Sequence, residues 1–129
     1  MPGSPLISAH ELHDLLEAGA GIRVLDVRYR LDKPDGRDDY RAWHLPGAVY
    51  VDMDTELATH GAPSEGRHPL PSRETLQDAA RRWGLHAGDA VVVYDDYRSV
   101  SAARAWWLLR GAGVSRSRSI RSPGTSPAR

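Results

Sequence analysis

A short polar segment between two apolar ones holds the residues whose types could do chemistry. The apolar run Val91–Tyr94 is followed by Asp95–Ser99, five residues that are polar or aromatic. Alanine, tryptophan and leucine then predominate over Val100–Arg110, a composition typical of a largely buried helix. The N-terminus of such a helix favours an anion or an ionised nucleophile in the preceding loop. The carboxylate of Asp95 is therefore either a nucleophile or a helix cap.

The elements around this segment indicate an α/β fold. Four consecutive apolar residues at 91–94 are typical of a strand buried on both faces, as in a parallel sheet. Residues 22–28 and 48–51 are expected to form two further strands. Ser8 opens a capping-box pattern, and Ser72 is expected to begin a second helix. Because strands alternate with helices, we expect an open parallel sheet flanked by helices, with ligands at the carboxyl ends of the strands.

The composition narrows the class of protein. The 129 residues are 40% hydrophobic and suffice for one domain with a modest core. The chain contains no cysteine, which excludes disulfides, thiolate metal sites and thiol catalysis by this chain alone. Neither a metal ion nor an organic cofactor is implied. The first five residues show no basic segment followed by an apolar stretch, so we expect no signal peptide and a soluble cytoplasmic protein.

Several motifs resemble, in the same order, the first domain of the two-domain thiosulfate and 3-mercaptopyruvate sulfurtransferases of the rhodanese family. The motifs are the central strand and helix described above, Leu25-Asp26-Val27-Arg28, His44-Leu45-Pro46-Gly47-Ala48-Val49, Asp52-Met53-Asp54 and Gly66-Arg67-His68-Pro69-Leu70-Pro71. The resemblance implies a cysteine-free, N-terminal rhodanese-like domain over residues 1–114.

The resemblance also implies that this chain supplies half of an enzyme. In the family, the second domain carries a cysteine directly after its central strand, and loop amides and a helix dipole hold its persulfide. Asp95 stands at that position here, and first domains of the family likewise lack the cysteine. The implied enzyme transfers a sulfane sulfur from thiosulfate or 3-mercaptopyruvate to cyanide or a thiol. Its partner is a Cys-bearing second rhodanese domain, from the same gene or a separate chain, and this chain alone is expected to be inactive.

Two residues are implied to support that chemistry. In the mercaptopyruvate branch, an Asp of the Asp-x-Asp motif and a His of the following loop resemble Asp54 and His68. They are implied to act with a serine of the second domain, near its cysteine. A carboxylate can fix the tautomer of an imidazole, which then moves a proton on or off a polarised hydroxyl. The alternative is that His68 is an ordinary surface histidine on a Pro-rich loop.

Two other function classes stay open. A cysteine-free rhodanese module can serve only as a binding or regulatory domain. Asp52-Met53-Asp54 after an apolar strand also resembles the nucleophile and acid of haloacid-dehalogenase-type phosphatases, which use Mg²⁺. In that family the Thr or Val lies one position later than Thr55, and a lysine follows, whereas Lys33 lies upstream. The expected substrate is a small sulfur donor, and no nucleic-acid or membrane partner is expected.

Three local interpretations concern the ends of elements. Asp26 and Arg28 are expected to form a structural pair at the end of a strand. His44 precedes a Pro-Gly turn, and its imidazole is expected to bond a loop carbonyl rather than to transfer protons. Ser99 or Ser101 is expected to cap the helix that follows the central strand.

The last segment breaks the alternating pattern. Residues 115–129 are rich in Arg, Ser and Pro and have little to bury, where an α/β domain should supply another strand. We therefore expect a disordered tail from residue 115 and a sheet that lacks its last strand. A truncated or frame-shifted end explains this composition better than an arginine-serine arm for nucleic acid.

Overall fold

The computed structural model describes residues 6–29, 32–33, 35–59, 64, 69–86, 88–96, 100–114 and 116–120. They form an α/β domain around a five-stranded sheet of order β1-β5-β4-β2-β3, in which every pairing is parallel. The strands are β1 (Leu6–Ile7), β2 (Ile22–Val27), β3 (Val49–Val51), β4 (Ala90–Tyr94) and β5 (Ser117–Ile120). The expected fold class, an open parallel sheet flanked by helices, is confirmed.

The helices of the described residues are α1 (Ala9–Glu17), α2 (Arg37–Ala42), α3 (Met53–Glu56), α4 (Arg73–Arg82) and α5 (Val100–Gly111). The expected capping box is present, because the hydroxyl of Ser8 accepts from the amide of Glu11 while the Glu11 carboxylate accepts from the amide of Ser8. Ser72 caps α4 by accepting from the amide of Thr75. None of the helices in the described ranges has the length and apolar character needed to cross a membrane.

Both faces of the sheet are covered. Val91 and Val93 of β4 pack into a core that includes Leu76 of α4 and Leu109 of α5. Val92 points to the opposite face, where it packs in a cluster with residues of β1 and α1. Successive side chains of a strand alternate between the two faces, so α4 and α5 lie on one side of the sheet and α1 on the other. This burial on both faces explains why β4 is apolar throughout.

The expectation that the sheet lacks its last strand is wrong, because the segment after α5 forms a strand. β5 lies inside the sheet and pairs with β1 on one side and β4 on the other. These hydrogen bonds satisfy its backbone, and Ser117 and Ser119 are small enough to be buried on the face that carries Val91 and Val93. Residues 116–120 of the expected disordered tail therefore belong to the domain. Residues 121–129 lie outside the described residues.

Candidate functional site

Three motifs identified in the sequence meet at one edge of the sheet. Asp54 follows β3, Arg28 follows β2, and Asp95 and Asp96 follow β4. The strand order places β2 between β3 and β4, and parallel strands end at the same edge. Neighbouring strands lie about 4.8 Å apart, so the ends of β3 and β4 are separated by about 10 Å. The edge is thus lined by carboxylates around one arginine.

A buried polar network holds this edge together. The carboxylate of Asp26 accepts from Nε of Arg28 at 2.9 Å and from the hydroxyl of Tyr94 at 2.6 Å. The same hydroxyl accepts from the amide of Leu45 at 3.0 Å. Asp26 is inaccessible to solvent. The expected structural pair of Asp26 and Arg28 is confirmed. Tyr94, at the end of β4, links this pair to Leu45, the residue that follows His44.

The burial of this network changes how its groups ionise. Burial raises the pKa of the Asp26 carboxyl above its ordinary value, although the hydrogen bonds from Tyr94 and Arg28 oppose the change. Burial also raises the pKa of Tyr94, and the hydrogen bond that it donates to Asp26 adds to the increase. The phenol of Tyr94 therefore remains a hydrogen-bond donor at neutral pH. The sequence gives only one signal for the role of Tyr94, a polar hydroxyl at the end of an apolar strand.

Arg28 joins three segments of the edge. Besides Asp26, its Nη2 donates to the carbonyl of Trp43 at 2.7 Å, and its Nη1 lies 4.0 Å from a carboxylate oxygen of Asp96. Gly36 packs directly against it, since a Cβ at Gly36 would collide with the Arg28 Cβ and lie 2.6 Å from the Arg28 carbonyl oxygen. The three polar contacts give the guanidinium a structural role.

The position that corresponds to the cysteine of the family's second domains holds a helix-capping carboxylate. Oδ2 of Asp95 accepts from the amide of Ala102 at 2.7 Å, in the first turn of α5. Ser101, one of the two expected caps, instead donates its hydroxyl to the carbonyl of Tyr29 at 3.2 Å and is buried. Ser99, the other, lies outside the described residues. The first amides of a helix have no partner within the helix, so a carboxylate that accepts from one of them stabilises the helix.

Asp54 lies in the first turn of α3 and is partly buried. Its amide donates to Oδ1 of Asp52 at 3.0 Å. His68 lies outside the described residues, so its pairing with Asp54 stays a prediction. Pro69, the next residue, accepts through its carbonyl from the amide of Thr59 at 3.0 Å. This hydrogen bond brings together the two ends of the segment at 60–68, which begins shortly after α3 in the chain.

Two other sequence candidates take structural roles. Nδ1 of His44 lies 2.6 Å from the carbonyl of Tyr40, and the two rings stack with centroids 3.9 Å apart. The imidazole bonds a backbone carbonyl, as expected, but that carbonyl belongs to α2 and not to a loop. Asp52 is the nucleophile of the phosphatase alternative. One of its carboxylate oxygens caps α3 by accepting from the amide of Asp54, and the other accepts from the guanidinium of Arg37 at 2.9 Å. Within the described ranges, no group of three or more His, Asp or Glu side chains could hold a metal ion.

Comparison with known proteins decides the family. The family model described as the rhodanese-like domain matches residues 8–121. This chain belongs to that family. The rhodanese-like domain is 49% identical over 112 residues to SseB of Mycobacterium tuberculosis, which is named as a thiosulfate sulfurtransferase; the match covers 87% of this chain and 39% of SseB. It is also 36% identical over 96 residues to the 3-mercaptopyruvate sulfurtransferase of Escherichia coli K12, a match that covers 72% of this chain and 33% of that protein.

Solved structures agree with this assignment. The crystal structure of the 3-mercaptopyruvate sulfurtransferase SseA from Escherichia coli matches 92% of the rhodanese-like domain with a TM-score of 0.78 and 30% identity. The 3-mercaptopyruvate sulfurtransferase from Leishmania major matches 93% of it with a TM-score of 0.76 and 28% identity. The matched part is 45% of the first chain and 33% of the second. The domain thus spans less than half the length of each of these relatives.

Proposed function

We propose that this rhodanese-like domain is the cysteine-free, N-terminal half of a sulfurtransferase. The observation that carries the proposal is a match to 39% of SseB in a chain that has no cysteine. The cap that Asp95 forms on α5 supports it, because a carboxylate already used as a helix cap replaces the sulfur nucleophile. On this account, the chain does not turn over alone, and the sulfur-carrying cysteine lies in a second rhodanese domain.

The proposed reaction moves one sulfur atom in two displacements. The thiolate of the second domain attacks the outer sulfur of thiosulfate, the S–S bond breaks, and sulfite leaves with the electron pair. Cyanide or a thiolate then attacks the outer sulfur of the persulfide, and the cysteine thiolate leaves. With 3-mercaptopyruvate as the donor, the C–S bond breaks instead and the pyruvate enolate must take up a proton. A histidine is useful at this step because it can donate that proton.

Asp54 and His68 are proposed as the groups that this domain contributes. Asp54 would hold the imidazole of His68 in one tautomer, and His68 would move a proton through a serine of the second domain. The contact of Thr59 with Pro69 supports this pairing, because it joins the two ends of the loop next to α3. The position of Asp54 at the carboxyl edge of the sheet supports it as well, since ligands of open α/β sheets bind at that edge.

An exposed apolar stripe on α5 supports a second domain as the partner. Val100 begins the helix near Asp95 and Asp96, the described part of the central loop that follows β4, and is 61% exposed, and Trp107 is 56% exposed. Seven residues make about two helical turns, so the two side chains share one face. Trp106, by contrast, points inwards and donates its Nε1–H to the carbonyl of Ser117 at 2.9 Å. A domain that covers the central loop would also cover this stripe.

The test is reconstitution from separate parts. The purified chain is mixed with the Cys-bearing rhodanese domain of a two-domain relative, and pyruvate release from 3-mercaptopyruvate is measured. We expect release that needs both parts and that falls at least about tenfold with Asp54→Asn, as expected when a proton-transfer group is lost. Asp38→Asn, an exposed carboxylate of α2, is the matched control and should leave the rate unchanged. If the chain neither binds nor complements the Cys-bearing domain, it does not act as half of a sulfurtransferase. That outcome would support the alternative of a module that binds or regulates another partner.

A further inference from the structure

The short helix that carries Asp54 needs an external support. α3 has four residues, and a single helical turn is not stable by itself because its formation fixes several residues for one hydrogen bond. Met53 and Leu57 are buried in the core and anchor its inner side. Those apolar contacts do not orient the outer side, where Asp54 lies at the edge of the sheet. The orientation of Asp54 must therefore come from polar contacts.

Two arginines from other helices clamp α3 through its two capping carboxylates. Asp52 accepts from the amide of Asp54 with Oδ1 and from Nη2 of Arg37 with Oδ2, at 3.0 and 2.9 Å. Glu56, which is buried, accepts from the amide of Asp52 with Oε1 and from Nη2 of Arg82 with Oε2, both at 2.9 Å. Both carboxylates bind amides at the N-terminal end of the turn, and the arginines tie it to α2 and α4.

We propose that Arg37 and Arg82 are positioning residues, which hold Asp54 in place through Asp52 and Glu56. This inference rests on the proposed function, since it gives Asp54 its role in proton transfer. The side chain of Arg37 is 48% exposed and that of Arg82 is 59% exposed. Ion pairs whose cation is exposed to solvent contribute less to global stability than fully buried pairs. Loss of either arginine should therefore loosen α3 locally and leave the domain folded.

The first experiment measures amide hydrogen exchange in the chain alone, by NMR under native conditions. In Arg37→Gln and Arg82→Gln, the amides of Asp54 and Glu56 should exchange about threefold to tenfold faster, while the amides of β4 keep their rates. Arg37→Lys should restore part of the protection. Arg41→Gln is the matched control, because Arg41 also lies on α2 and forms an exposed pair with Asp38. Equal exchange at Asp54 in Arg37→Gln and the wild type would overturn the inference.

The second experiment measures pyruvate release in the reconstituted enzyme. Arg37→Gln should lower kcat about threefold to tenfold with little change in KM for 3-mercaptopyruvate, because Asp54 is proposed to support proton transfer rather than binding. Faster exchange with an unchanged kcat would refute the positioning role. If wild type and variants all lack turnover while exchange at Asp54 still depends on Arg37, the proposed function fails, and the clamp on Asp54 is upheld.

Discussion

Asp95 stands at the position that the persulfide-forming cysteine takes in second domains of the family, and its carboxylate caps α5 through the amide of Ala102. We expect Asp95→Ala to lower the free energy of unfolding by about 1 kcal/mol, the usual effect of removing a side-chain cap. Asp95→Asn retains an acceptor oxygen and should lose less. Urea unfolding of the three proteins measures both effects. Equal stability of the alanine variant and the wild type would show that this cap does not contribute.

Asp26 gives the domain a pH dependence with a defined sign. Burial raises the pKa of its carboxyl above the ordinary value of 3.8. Between 3.8 and the raised pKa, the folded chain binds more protons at this group than the unfolded chain. The stability that Asp26 contributes is therefore fully present below 3.8 and is lost as the pH rises through the folded pKa.

A comparison with Asp26→Asn isolates this effect from the other carboxylates. We expect the unfolding free energy of the wild type, relative to that of the variant, to fall as the pH is raised from 3.8. Thermal or urea unfolding over a pH series measures the difference. A relative stability that rises over the same range would mean that the pair with Arg28 outweighs the burial of the carboxylate.

β5 contains a matched pair of buried serines. The hydroxyl of Ser117 donates to the carbonyl of Val114 at 3.0 Å, whereas the hydroxyl of Ser119 is buried with no hydrogen-bond partner among the described residues. Ser119→Ala should raise the free energy of unfolding by about 1 kcal/mol, because an unsatisfied buried hydroxyl is removed. Ser117→Ala should lower it by about the same amount, because a hydrogen bond is lost. Changes of the same sign in the two variants would contradict this account of the strand.

The elements differ in how well the sequence predicts them, for a physical reason. β4 and β2 are central strands with a helix layer on each face, so β4 reads as an apolar run and β2 as a mainly apolar segment. β5 is also internal to the sheet, but its stability comes from hydrogen bonds to β1 and β4, which lie far away in the chain. The Arg and Ser residues of β5 do not indicate which strands it pairs with. α2 has no buried residue, so it lacks the apolar periodicity by which a helix is recognised in a sequence.

The same distinction applies to the candidate site. The pair of Asp26 and Arg28 and the carbonyl contact of His44 involve residues close in sequence, and both could be predicted. Tyr94 reaches Asp26 from another strand, and Arg37 reaches Asp52 from another helix. Such contacts exist only once the sheet has formed, so the sequence alone could not reveal them. The pairing of Asp54 with His68 stays a prediction.

For the complete enzyme, sulfur transfer is expected to depend on a cysteine that this chain does not contain. Asp95→Cys should not restore full activity, because the sequence at 96–99 has no glycine, the residue that most readily lets successive amides curl around a bound sulfur. The variant therefore separates the need for a thiol from the need for a complete persulfide site.

The most direct measurement is cyanide-dependent thiocyanate formation from thiosulfate by the purified 129-residue chain. We predict a rate equal to that without enzyme, and a rate above it only when a Cys-bearing rhodanese domain is added. Host sulfurtransferases must first be removed, for example by expression in a strain that lacks them. Thiocyanate formation by the chain alone, persisting after that removal, would contradict the central claim.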